Sequence, residues 1–242
     1  QMMTLLGELA KRPTNVYNIG TVHDGMRVNQ AAVDNSAHNN TTTTTSSSSA
    51  AAAAATAAAA PSTSANSTAS AADFPVHPKI QEQLKKQGKT LETVEALDLE
   101  NSDISDLRCL CRAARLKQLY RNGCNNTNND SLRIVEHLPL LEELFAGNTG
   151  ISDISGLSKC TKLTKLCIGG CTNLPSDALH VLEHLPLLEV LYVADTGIND
   201  VSCLSKCTKV TVLYLTNSKN LPGDALRVLE HLPLLELLDA SN

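Results

Sequence analysis

The sequence lacks the features that mark several large classes of protein. It has no run of about 18 or more apolar residues, which excludes a membrane-spanning helix. Its 20 Lys and Arg residues are outnumbered by 25 Asp and Glu, so no basic stripe is available to bind a nucleic-acid backbone. Nucleophile-elbow, phosphate-loop and metal-binding motifs are also missing. These absences predict a protein that is not an enzyme, holds no cofactor or metal, binds no nucleic acid and does not span a membrane.

What the sequence does contain is a repeat. The phrase Glu-His-Leu-Pro-Leu-Leu-Glu occurs three times, beginning at Glu136, Glu183 and Glu230, and the copies are 47 residues apart. Counting back by the same spacing from Leu138 reaches Leu91. Within each period the form L-x-x-L-x-L-x-x-(C/S/T) occurs twice, which predicts units of 23 and 24 residues. Fixed self-similarity on this scale is typical of a solenoid.

This form resembles the leucine-rich repeat, whose template is L-x-x-L-x-L-x-x-(N/C)-x-L. The ninth position, where the family often has Asn, is similar to that of the cysteine-containing variety, which is usually intracellular. The segment Thr149-Gly-Ile-Ser-Asp-Ile-Ser155 more loosely resembles leucine-rich repeat proteins of protozoa, including trypanosomatids. The resemblance implies an α/β solenoid with a curved parallel β-sheet on its concave face and alternating short helices and turns on its convex face.

Small residues that can form hydrogen bonds occupy the ninth position of every unit that includes it. We expect them to form a ladder that satisfies backbone groups where each strand ends. The series is Ser102, Cys124, Thr149, Cys171, Thr196 and Ser218.

The cysteines indicate a compartment. Cys160 and Cys207 occupy equivalent positions two units apart, as do Cys124 and Cys171. Two strand spacings are roughly 10 Å, which is beyond the span of a disulfide. We therefore predict a reduced chain in the cytoplasm.

Composition divides the chain into four parts. Residues 1–35 form a segment of unknown fold. Residues 36–72 are a low-complexity Asn/Thr/Ser/Ala linker with too few large apolar groups to offset ordering entropy, so we predict disorder. Residues 73–89 form a helical N-terminal cap, with Pro78 near its start and Gly88 at its end. Residues 90–242 hold seven repeat units, the last truncated. Since the chain starts at Gln1 and stops within a predicted strand, we expect a fragment of a longer protein.

A binding surface can be predicted from side-chain alternation along the strands. Four of the six aromatic residues in the chain fall at position 5 of the template, and aromatic residues are enriched at binding hot spots. Position 3 becomes apolar toward the C-terminus, and acidic residues at position 2 favour a basic partner. The alternative is that β-propensity and cross-strand stacking place the aromatics there. The predicted partner-binding residues are Tyr120, Phe145, Tyr192, Tyr214, Glu142, Glu143, Glu189, Val190 and Val212.

The leading interpretation is a non-enzymatic interaction module that binds a protein or peptide on its concave face. One alternative is the substrate receptor of a ubiquitin ligase, because cysteine-type repeats of the family commonly follow an F-box or RING domain. A second alternative is a secreted or surface-attached recognition protein. A third is a structural component of a larger assembly, such as a cytoskeletal complex.

Overall fold

The computed structural model describes residues 74–124, 130–222 and 224–240. The predicted segment 1–35 and the predicted disordered linker 36–72 lie outside these residues. The described repeats form one parallel sheet of seven strands, and the strands neighbour each other in chain order. The strands are β1 (Ala96–Asp98), β2 (Gln118–Tyr120), β3 (Glu143–Phe145), β4 (Lys165–Cys167), β5 (Val190–Tyr192), β6 (Val212–Tyr214) and β7 (Leu237–Asp239).

The strand register fixes the length of each unit. Ala96 pairs with Gln118, and Gln118 pairs with Glu143. Units of 22 and 25 residues therefore alternate, and the predicted division into 23 and 24 residues is wrong, although the period of 47 is right. The difference lies in the segments that return from one strand to the next. Ala178–His184, a 3₁₀ helix of seven residues, lies in a long unit, whereas the short units carry 3₁₀ helices of five residues.

Both kinds of unit have helical return segments, so the convex side alternates long and short helices rather than helices and turns. The short helices are 3₁₀ rather than α because each return segment has room for one or two turns. The helices of the repeats are Arg108–Arg112, Ser155–Lys159 and Ser202–Lys206 in the short units and α2 (Asp130–Arg133), Ile134–His137, Ala178–His184 and Ala225–His231 in the long units.

The core is one contiguous cluster that extends through all the units. The leucine at position 4 of the template is fully buried from Leu97 in β1 to Leu213 in β6, because successive strand side chains point to opposite faces. Position 6 is apolar in every unit except the second, where Arg121 is 1% exposed. Burial of its guanidinium lowers the pKa of Arg121.

Each strand from β1 to β6 is followed at position 8 by a residue with left-handed backbone conformation. Only Gly adopts this conformation without steric cost, and Asn and Asp tolerate it better than other residues. This requirement explains the residue types found there. They are Asn101, Gly123, Asn148, Gly170, Asp195 and Asn217, with φ between 50° and 71°.

The predicted hydrogen-bond ladder at position 9 is confirmed at five of its six positions, whereas the buried Ser218 hydroxyl has no hydrogen-bond partner among the described residues. Thr149 Oγ1 donates to the Ala146 carbonyl at 2.7 Å, and Cys171 Sγ from the next unit donates to the same oxygen at 3.3 Å. Cys124 Sγ makes the equivalent bond to the Leu99 carbonyl at 3.1 Å. Hydroxyls and thiols thus satisfy buried carbonyls where the strands end.

A ten-residue helix precedes the first unit. This helix, α1 (Pro78–Gln87), begins at a proline and ends at Gly88, which has φ of 61° and whose backbone N–H caps the last turn. Ile80 and Leu84, four residues apart, are buried and belong to the same core as the repeats.

Glutamine side chains of α1 bind the outer edge of β1. Gln83 Oε1 accepts a hydrogen bond from the Asp98 backbone N–H at 2.9 Å, and Gln83 Nε2 donates to the Asp98 carbonyl. Gln87 Nε2 donates to the Ala96 carbonyl at 3.1 Å. These amides occupy the place of a preceding strand, so the edge of the sheet is covered. Across the described ranges, no helix combines the length and apolar character needed to cross a membrane.

Candidate interaction surface

The concave face of the sheet is lined by template positions 3, 5 and 7. On β5 and β6 this face is apolar, and Asp239 of β7 lies next to Tyr214 at its C-terminal end. Val190 pairs in register with Val212, and Tyr192 pairs with Tyr214. All four side chains are partly exposed. The two tyrosine rings lie 5.1 Å apart and are tilted by 40°. With Leu237 of β7, also partly exposed, they form a continuous apolar patch over three strands.

A second aromatic pair lies on β2 and β3. The rings of Tyr120 and Phe145 stack 5.0 Å apart with an angle of 15°. Phe145 is only 5% exposed, so it offers little area to a partner and instead supports the Tyr120 ring. Cys167 of β4 separates this pair from Tyr192, and the four predicted aromatics thus form two pairs rather than one unbroken stripe.

Glu143 links two neighbouring strands of this face. Its Oε2 accepts a hydrogen bond from the Tyr120 hydroxyl at 3.1 Å, and its Oε1 forms an ion pair with Lys165 Nζ at 2.9 Å. Burial and the Glu143 carboxylate raise the pKa of Tyr120 to about 12. The Tyr120 hydroxyl therefore stays protonated and keeps its hydrogen bond to Glu143 at any physiological pH.

Two carboxylates that the sequence prediction did not select lie beside Tyr120. Asp98 is at position 5 of β1, and Glu100 is at position 7 of the same unit; both carboxylates contribute to the raised pKa of Tyr120. Glu100 Oε1 accepts a hydrogen bond from Asn122 Nδ2 at 2.7 Å. The signal that could have found Glu100 is the same alternation that selected positions 3 and 5.

Glycine at position 7 makes room for an aromatic ring. The Tyr192 ring leans over Gly169, where a Cβ atom would collide with it. Gly147 lies one strand away, and a Cβ there would be 3.3 Å from Cys167 Sγ. The Tyr192 ring therefore occupies the space over Gly169, and both glycines are buried.

The remaining predicted residues, Glu142 and Glu189, are exposed at position 2. They lie at one margin of the concave face, each next to a position-3 side chain of the surface.

The thiol on this surface has low reactivity. All eight cysteines are unpaired thiols. Cys167, the thiol on the concave face, has its pKa raised to about 12 by burial, so it is a poor nucleophile. In the part of the chain that the structure describes, no group of three His, Cys, Asp or Glu residues could hold a metal ion.

Solved structures provide a comparison for this architecture. An internalin of Listeria monocytogenes is 25% identical, with 63% of this chain and 49% of that chain covered and a TM-score of 0.47. A second Listeria protein, internalin C2, is 21% identical over 61% of this chain and 71% of its own, with a TM-score of 0.48. A leucine-rich repeat protein of Leptospira interrogans is 15% identical over 67% of this chain and 46% of its own, with a TM-score of 0.53.

The Leptospira protein has the highest TM-score of the three. The chain folds as a leucine-rich repeat solenoid. This agrees with the template read from the sequence, and at 15% identity the likeness concerns the fold alone. The solenoid spans about half the length of the first Listeria internalin. No model of a protein family matches the sequence, and no curated protein matches it.

The finer parts of the resemblance stay predictions. These are the cysteine-containing type, the likeness to trypanosomatid proteins, the cytoplasmic location and the absence of enzymatic activity. The solenoid alone does not discriminate between an interaction module, a ligase substrate receptor, a secreted recognition protein and a structural component of an assembly.

Proposed function

We propose that the leucine-rich repeat solenoid binds a protein or peptide partner on its concave face. The supporting observation is the apolar patch of Val190, Tyr192, Val212, Tyr214 and Leu237, which is partly exposed on three consecutive strands. Contiguous exposed apolar area with aromatic side chains is a feature of protein interfaces. The leucine-rich repeat protein of Leptospira shares the architecture.

The pair of Tyr192 and Tyr214 also stabilises the sheet, since cross-strand aromatic pairs contribute roughly 0.2–1 kcal/mol each. That contribution does not require both rings to remain partly exposed, and it does not explain the aliphatic residues beside them at position 3. A binding role accounts for both features.

A charge placed in the patch tests this proposal. Val212→Arg adds a cation at the centre of the patch, next to Val190 and Leu237 in the strand register. Leu234→Arg is the matched control, because Leu234 is 53% exposed and lies outside the strands. The full chain and both variants are used to capture proteins from the source cells, and captured proteins are quantified by mass spectrometry. Circular dichroism checks that all three are folded.

We expect a protein captured by the parent chain and by Leu234→Arg to be lost, by about tenfold or more, with Val212→Arg. A loss of this size corresponds to the removal of one interface hot spot. If every captured protein is retained by Val212→Arg, the concave face is not the binding surface.

A further inference from the structure

The concave face is not uniform along the solenoid. On β1 to β3, its positions 3, 5 and 7 include three carboxylates and no cation; the carboxylates are Asp98, Glu100 and Glu143. On β5 and β6, all six of these positions are uncharged; they are Val190, Tyr192, Ala194, Val212, Tyr214 and Thr216.

Local contacts neutralise only part of the negative charge on this face from β1 to β3. The Glu143 carboxylate is paired with Lys165. Glu100 accepts a hydrogen bond from the uncharged amide of Asn122, and Asp98 accepts one from the Glu100 backbone N–H at 3.0 Å. Lys79 Nζ of α1 donates to the Glu100 backbone carbonyl at 2.9 Å, but among the described residues no ion pair uses the carboxylate of Asp98 or Glu100. These two carboxylates lie near Tyr120, and carboxylates with an aromatic ring attract Lys and Arg side chains.

The width of the surface limits the shape of its ligand. At the apolar end, the partly exposed apolar side chains lie in the rows of positions 3 and 5, which are two residues apart along each strand, or about 7 Å. This width matches an extended chain better than an α-helix, whose diameter with side chains is about 10–12 Å. The acidic site belongs to the units of β1 and β2, and its Tyr120 on β2 is four strand spacings, or about 19 Å, from the apolar side chains on β6. An extended peptide covers that distance with about six residues.

We propose that the partner presents an extended segment that crosses the strands, with a Lys or Arg over Asp98, Glu100 and Tyr120 and apolar side chains about six residues away over Val212 and Tyr214. This inference rests on the proposed function and adds the chemistry and spacing of the ligand. It requires the segment to lie across the strands rather than along one of them.

A library of random peptides, roughly eighteen residues long and displayed on phage, is the probe; this length can hold both the extended and the helical spacing. Selection is carried out on the full chain. Enriched peptides are then synthesised and their affinities measured for the parent and for the double variant Asp98→Asn with Glu100→Gln. Both substitutions keep an oxygen that can accept the bonds from the Glu100 N–H and the Asn122 amide, so the fold is retained. Glu183→Gln with Glu230→Gln removes the same charge from exposed residues of two 3₁₀ helices and is the matched control.

We expect enriched peptides to carry a basic residue about six positions from an apolar pair. Their affinity should fall about tenfold with Asp98→Asn and Glu100→Gln, stay unchanged in the control variant, and weaken with added salt. Optimal spacing of about thirteen residues would indicate a helical ligand and would overturn the inference. So would enrichment of no peptide, or of peptides without a basic residue.

The same peptides separate this inference from the proposed function. Peptides whose affinity does not change with Asp98→Asn and Glu100→Gln but is lost with Val212→Arg overturn the inference. The concave face remains the binding surface in that case. Peptides that bind equally to Val212→Arg contradict both.

Discussion

At the residue scale, the free-energy cost of a side chain at the left-handed position that follows strands β1 to β6 can be measured. Gly170 has φ of 71°, and a Cβ atom there would collide with the Asn148 side chain of the preceding unit. A non-glycine residue in this conformation costs roughly 1–2 kcal/mol. We therefore expect Gly170→Ala to lower the free energy of unfolding by about 1–2 kcal/mol, or somewhat more if Asn148 cannot move aside. Urea denaturation followed by circular dichroism measures the change.

The chain contains its own control for this substitution. In the next long unit, the position of Gly170 is taken by Asn217, with φ of 57°, and Asn217 Nδ2 donates to Asp195 Oδ1 at 2.7 Å. Gly170→Asn combined with Asn148→Asp should recreate that pair and cost less than Gly170→Ala. If the double variant is the less stable of the two, the hydrogen-bonded pair does not compensate for the lost glycine.

Single residues also show which side-chain exposures the alternation along a strand predicts correctly. It correctly placed Tyr120, Tyr192 and Tyr214 on the partly exposed face. It did not predict that Phe145 is buried, because exposure on a concave sheet depends on neighbouring strands as well as on direction, and Tyr120 covers the Phe145 ring. Nor could the pattern predict that Arg121 is accommodated at a position where other units have aliphatic residues.

At the scale of elements, the contact between α1 and β1 can be tested through one side chain. Gln83 makes two hydrogen bonds to the backbone of Asp98. Gln83→Ala removes both, and each net contribution is about 1 kcal/mol. We expect the Asp98 amide to exchange its hydrogen about fivefold to tenfold faster, measured by NMR.

Glu82→Ala, on the exposed side of α1 where Glu82 pairs with Lys86, should leave this exchange rate unchanged, as surface ion pairs contribute little. Equal acceleration by both variants would mean that α1 as a whole, rather than the glutamine contact, protects β1.

Whole elements were predictable where one physical signal determines them. Pro78, Gly88 and the spacing of Ile80 and Leu84 predict α1, and the resemblance of the repeated template to the leucine-rich repeat implies the parallel sheet. The type of the return helices was not predictable, because apolar residues at i and i+3 share a face in both α and 3₁₀ helices. The contact of Gln83 with β1 was not predictable either, since no local pattern relates a helix surface to a strand edge in another segment.

At the scale of the whole molecule, each unit packs on its neighbours and the apolar core is continuous from α1 to β7. Six of the eight cysteines are buried in this core, from Cys109 in the first unit to Cys207 in the fifth. Repeat arrays gain stability from interfaces between adjacent units, so these thiols are distributed over most of the interfaces. Their titration therefore reports on the folding of the array and not on one site.

Burial raises the pKa of Cys160 and Cys203 to about 12 and that of Cys207 to about 11, from an ordinary value of 9.0. Well below pH 9 these thiols are protonated in both the folded and the unfolded chain and add no pH dependence. Between about pH 9 and 11 the unfolded chain loses these protons while the folded chain keeps them, so the free energy of unfolding falls as pH rises.

We expect the urea midpoint to be constant from about pH 7 to 8.5 and to decline above pH 9. Cys160→Ala with Cys207→Ala lowers stability at every pH but should make the decline shallower, because two of the titrating groups are gone. An equally steep decline in that variant would assign the pH dependence to other groups, such as the phenols of Tyr120, Tyr192 and Tyr214, whose pKa values burial also raises.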